Sequence, residues 1–127
     1  KRQVLNSICI LILIIFSILN PKMYKFREAA KLGKDTVKFG LKGYGIAPAG
    51  INFPETGHHH LLINVDDLDL SKPIPSSKNH LHFGGGQTET SINLPPGKHE
   101  LQLVLGDMYH VPHSNPLISK KITILVK

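Results

Sequence analysis

Residues 95–105 read PPGKHELQLVL, and this stretch decides the fold class. Pro95 and Pro96 preset φ and Gly97 tolerates a positive φ, so the triplet is a turn. Beyond it Leu101, Leu103 and Leu105 alternate with Lys98, Glu100 and Gln102. A period of two puts the leucines on one face of a β-strand and the polar side chains on the other. The rhythm recurs along the chain. Residues 36–41 align Val37, Phe39 and Leu41. Residues 58–65 (HHHLLINV) set His59, Leu61, Ile63 and Val65 against His58, His60, Leu62 and Asn64. Residues 89–94 alternate through Thr90, Ile92 and Leu94, and residues 121–127 through Ile122, Ile124 and Val126. With a short strand at residues 81–83, six strands follow at close spacing. No long helix follows residue 35, and no segment repeats. This predicts an all-β, antiparallel β-sandwich, with a small barrel as the alternative.

The chain has 127 residues and a formal net charge of +6, enough length for one domain. Its pI near 9.6 invites a nucleic-acid partner, and the distribution of charge removes that reading. Residues 1–42 hold nine basic and two acidic side chains, whereas residues 43–127 hold six basic and seven acidic. The excess sits around an apolar run, residues 8–19 (ICILILIIFSIL), preceded by Lys1-Arg2. A basic start before a short apolar run is the layout of a secretory signal peptide, and the run is short for a membrane-spanning helix. No Ala-x-Ala site follows it, so an uncleaved anchor through residues 4–19 remains the alternative. Both destinations are the cell envelope. The organisation expected is a signal peptide or anchor as an N-terminal apolar helix at 1–20, a charged connector at 21–35 (FREAAKL there suggesting a helical turn), and the β domain at 36–127. The single Cys, Cys9, lies in the apolar run, which excludes a disulfide framework.

All eight histidines fall between residues 58 and 113. Residues two apart on a strand share a face, so His58 with His60, and His80 with His82, can each present two imidazoles to one point. His110 and His113 flank Val111-Pro112 in a loop. Neutral imidazole suits Zn and Cu(II), and the absence of a Cys in the domain argues against a blue-copper site. The candidate metal ligands are therefore His58, His60, His80, His82, His110 and His113, with Asp107 and Glu89 as carboxylates that would orient them. Asp107 could equally cap the turn after Gly106. The competing reading is a hydrogen-bonded histidine network that rigidifies loops without a metal. His99, after the turn, reads as a surface or strand-edge residue.

Other motifs are weaker. Asp66, Asp67 and Asp69 lack the spacing of a calcium loop. Gly84-Gly85-Gly86 has no phosphate-loop Lys and reads as a bend that lets backbone approach the histidine loops. No serine sits in a nucleophile elbow, so no catalytic residues are assigned and an enzyme is not expected. A metal with three His ligands and an open position would be the route to hydrolytic or redox activity.

FGLKGYGIAPAG (39–50), TGHHHLLIN (56–64), PIPSSKNHLHFGGGQTET (73–90), LPPGKHELQLVLGD (94–107) and HVPHSNP (110–116) resemble the bacterial envelope family known as domain of unknown function 4399. The resemblance runs from about residue 36 to 127. It implies a small exported domain with an immunoglobulin-like or cupredoxin-like sandwich and no established activity. Its recurring blocks fall here on His58, His59, His60, His80, His82, His110 and His113, with Gln87, Glu89 and Asp107 beside them. Upstream the chain departs from the family, since the Asp-Gly of its early turn is missing after Pro21-Lys22. The expected function is an exported, periplasmic or envelope-localised metal-binding domain. The alternative is an interaction module with an envelope protein partner.

Overall fold

The computed structural model describes the backbone of residues 25–27 and all of residues 36–127. The apolar run and most of the connector lie outside the described residues, and so does the expected N-terminal helix. Among the described residues there is no helix long and apolar enough to cross a membrane. The strands there are β1 (Lys25–Arg27), β2 (Thr36–Gly40), β3 (Gly45–Ile46), β4 (Thr56–Ile63), β5 (His80–His82), β6 (Glu89–Ser91), β7 (Gly97–Gly106) and β8 (Ile122–Val126).

They form two sheets. One has three antiparallel strands in the order β1-β2-β6. The other runs β3-β4-β7-β8, with β5 pairing further along the β4 edge that also carries β3. Val37 and Phe39 of β2 and Ile92 after β6 pack into one core with Leu61, Leu103 and Ile124 of the larger sheet. The described residues are thus all-β and sandwich-like. Leu101, Leu103 and Leu105 are at most 1% exposed, as their alternation predicts, and each contributes about 1.5–3 kcal/mol through burial. Gly97 takes φ 131° at the Pro-Pro-Gly turn, a conformation that side chains resist.

Three expectations change. The pairing is not purely antiparallel, because β3 runs parallel to β4 through Gly45–Thr56 and Ile46–Gly57. Phe26 and Arg27 lie in a strand against β2, not at the start of a helical turn. His99 is buried at 8% exposure on the central strand β7, not at the surface. Its Nδ1 meets Asn64 Nδ2 at 3.0 Å and its Nε2–H donates to the Pro95 carbonyl at 2.7 Å, which ties the turn to the end of β4.

The larger sheet is covered on both faces, and this positions the histidines. Residues 57–63 of β4 are all buried, not only every second one. Leu62 and Val104, on the face turned away from the main core, form a second cluster with Ile74. Ile74 comes from the Pro-containing segment between β4 and β5, which folds back over that face. The stretch after β7 returns along the same strand, with Leu105 N–H bonded to the Leu117 carbonyl at 3.0 Å and Ser119 N–H to Leu103 at 2.9 Å. His58 and His60, which share a face with Leu62, are therefore enclosed.

Candidate metal centre

The register brings the rings together. On β4, His60 lies opposite His82 of β5 on one side and opposite Val104 of β7 on the other. His58 lies opposite Gly106, the last residue of β7. The missing side chain there leaves room, since a Cβ on Gly106 would stand 2.7 Å from His60 Cε1 and 3.2 Å from the His110 Cα. Gly84 does the same for His82, whose ring occupies the space a Cβ would need. The glycine bend after β5 thus brings backbone against a histidine ring, as its composition predicts.

His110 is delivered by a loop that Asp107 closes. Asp107 Oδ1 accepts the N–H of Tyr109 at 2.8 Å and of Val111 at 2.9 Å. The Asp107 N–H donates to the Val111 carbonyl at 2.8 Å, and the His110 N–H to the Asp107 carbonyl at 2.9 Å. This turn holds His110 at φ 68°, a left-handed conformation uncommon for a side chain of its size. The His110 carbonyl accepts from Ile74 N–H at 2.8 Å, which locks the loop to the covering segment. Asp107 therefore acts on His110 through the backbone and caps the turn.

Four imidazoles result in one cluster. The ring centroids of His58 lie 4.8 Å from His60, 4.9 Å from His82 and 5.0 Å from His110. His82 and His110 are 4.7 Å apart, His60 and His82 5.1 Å, and His60 and His110 6.0 Å. One ring nitrogen each from His58, His82 and His110 falls within 4.8 Å of the others, a group that can hold a metal ion. His58 and His60 are at most 1% exposed, while His82 is open to solvent and His110 half-buried.

Neither nitrogen of His58 or His60 reaches a hydrogen-bond partner of good geometry among the described residues. Burial is the main reason their imidazoles resist protonation. His58 is lowered to about 4 by desolvation, then by repulsion from His82 and His110, against a smaller pull from Asp107. His60 is lowered to about 3 by desolvation and then by its three histidine neighbours. The His58 backbone lies close enough to oppose that shift without forming a well-aligned bond. His82 is lowered by desolvation and by His110. At neutral pH these rings are uncharged and offer lone pairs, the state a ligand requires.

The remaining candidates are elsewhere. His80 sits opposite Leu62, and its Nδ1 meets Ser77 Oγ at 2.9 Å. His113 Nε2 meets the Thr56 carbonyl at 3.0 Å, and its ring stands edge-on to Tyr44 at 5.1 Å. Glu89 lies on β6 in the other sheet and lines a separate cavity of about 330 Å³ with Lys38 and His59. His59 faces the main core, its ring 4.9 Å from Phe39. Gly106 was not singled out by the sequence. The signal available was a glycine ending an alternating run directly before Asp107.

Fold and site together define a small two-sheet β domain with four histidine rings gathered on the covered face of its larger sheet. The chain belongs to the family described as Domain of unknown function (DUF4399), which it matches over residues 37–127. Comparison with curated proteins and with solved structures gives no significant match.

Proposed function

We propose that this chain is an exported envelope domain that binds a transition-metal ion, Zn or Cu(II), through His58, His82 and His110. The observation that carries the reading is the convergence of three ring nitrogens from two strands and a loop within 4.8 Å of one another. A tetrahedral site with metal–nitrogen distances of about 2.0–2.1 Å needs nitrogens about 3.3 Å apart, so binding draws the rings inward. His82 is exposed and His110 half-buried, so rotation of these two side chains, with their backbone held in place, can bring their nitrogens toward the ion. The two sheets serve as scaffold, in the immunoglobulin-like or cupredoxin-like arrangement that the family resemblance implies. Export is supported by Lys1-Arg2 and the apolar run at 8–19. The role assigned is binding, with no catalytic step.

Calorimetric titration of the full chain with Zn and with Cu(II) tests the reading. Saturable one-to-one binding at neutral pH is expected, lost in His82→Ala/His110→Ala and kept in His80→Ala. Absence of saturable binding, or binding indifferent to the double substitution, overturns it.

One observation favours a second reading, an interaction module. Ile51, Phe53 and Tyr109 are 52%, 66% and 67% exposed, and all three line a cavity of about 270 Å³ beside the Asp107 loop. In that reading the clustered rings only stiffen the loop, and substituting His82 and His110 alters stability while metals leave the protein unaffected.

A further inference from the structure

His58, His82 and His110 satisfy three coordination positions, and the fourth decides what such a centre can do. Three protein ligands with an open position make a reactive site, whereas four protein ligands make a closed one that retains its ion. We propose that His60 supplies the fourth imidazole, giving an all-nitrogen, four-coordinate centre that leaves no position for water or a substrate. This inference rests on the metal-binding reading above.

Three observations carry it. The His60 ring centroid lies 4.8 Å from His58 and 5.1 Å from His82, close to the spacings inside the trio. It lies 6.0 Å from His110, so the His60 ring has to turn toward the trio to ligate. The residue is 1% exposed, and neither ring nitrogen has a well-aligned partner among the described residues. A position whose only duty was packing would take an aliphatic side chain there, as Leu62 does two residues on along the same face, because an unsatisfied buried polar group costs about 1–3 kcal/mol. Gly106, finally, leaves the space that this ring fills, and a methyl group there would collide with Cε1. Position 60 and Gly106, its diagonal neighbour across the strand pair, are thus both shaped for an imidazole.

The donor set is four uncharged nitrogens, which favours a borderline divalent ion that accepts tetrahedral or flattened nitrogen coordination, namely Zn, Co(II) or Cu(II). Hard cations such as Mg and Ca, which require oxygen, are excluded.

Co(II) bound to the full chain reports coordination number through its visible bands. The expected wild-type spectrum has the strong bands of a four-coordinate ion and does not change when azide is added. His60→Ala should still bind Co(II) through the trio, about tenfold or more weakly, with bands that now shift on addition of azide. An azide-responsive wild-type spectrum overturns the closed site without any variant, so the test survives a His60→Ala protein that fails to fold. An unchanged His60→Ala spectrum overturns it as well. Failure of the underlying reading looks different: wild-type protein then shows no bound Co(II) bands at all, and the inference falls with it.

Discussion

Acidification of the metal-free domain should unfold it through β4, and the size of the effect follows from three histidines. His58, His59 and His60 are lowered from 6.5 to about 4, about 4 and about 3, each mainly by burial. The folded state thus keeps them neutral, while the unfolded chain takes up their protons near 6.5. Unfolding therefore binds protons below that pH, and acid favours it. Stability is undiminished above about pH 7 and falls as pH drops from 6.5 toward 4, until the folded state itself begins to protonate. At pH 5 the unfolded rings are almost fully charged and the folded ones are not. Each ring then lowers stability by about 2 kcal/mol relative to pH 7.5. Three rings give about 6 kcal/mol, against about 5–15 kcal/mol for the whole stability of a typical domain. The local slope near pH 5 is about 4 kcal/mol per pH unit. Urea unfolding followed by circular dichroism, in the presence of a chelator and at half-unit steps from pH 7.5 to 5, measures it. Replacing His60 by Gln should remove about one third of the slope. A stability change below about 1 kcal/mol over that interval would refute the claim that these rings are buried and neutral.

Three further outcomes follow from single contacts. Gly106→Ala places a methyl group against His60 Cε1 and the His110 backbone, and thermal unfolding should show a loss of about 1–3 kcal/mol together with weaker metal binding. Asp107→Ala removes the acceptor of the Tyr109 and Val111 N–H groups, so zinc affinity should fall about 10–100-fold in calorimetry, with Asp107→Asn recovering much of it. Asn64→Ala cuts the link to His99 and the bond from Glu100 N–H at 2.8 Å. It should cost about 1–3 kcal/mol in urea unfolding while leaving metal affinity unchanged, which separates structural histidines from clustered ones.

The strands that alternate were legible because a period of two is a local signal. Residues 98–105 and 121–127 put the predicted leucines and isoleucines in the core. β3 carries no such signal. It is two residues long inside a Gly/Pro/Ala loop, and its parallel pairing depends on Gly45 meeting Thr56, a contact that no period encodes. β1 pairs with β2 over three residues that read as part of a charged connector. Periodicity assigned the two faces of β4 correctly through residues 58–63, but it could not say what covers each. The covering comes from Ile74 and the return of residues 117–119 along β7.

The same limit divides the histidines. The two-residue spacing correctly put His58 with His60, and His80 with His82, on shared faces. It could not fix the register, which sets His82 beside His60 and leaves His80 beside Leu62, where Ser77 takes its Nδ1. Pro112, bridged to Gly106, separates His113 from His110 and sends it to the Thr56 carbonyl. Three of the eight rings, His80, His99 and His113, therefore each hold a hydrogen bond to a hydroxyl, amide or carbonyl, which is what a rigidifying network requires. Among the described residues His58 and His60 hold no well-aligned bond of this kind, though they are the more deeply buried. At about 1–3 kcal/mol for each unsatisfied ring, keeping both as histidine is expensive for a domain of ordinary stability. A loop-stiffening role does not explain that expense, because the same chain satisfies its stiffening histidines. A ligand role does, since a bound ion takes up the lone pairs that burial leaves without a partner.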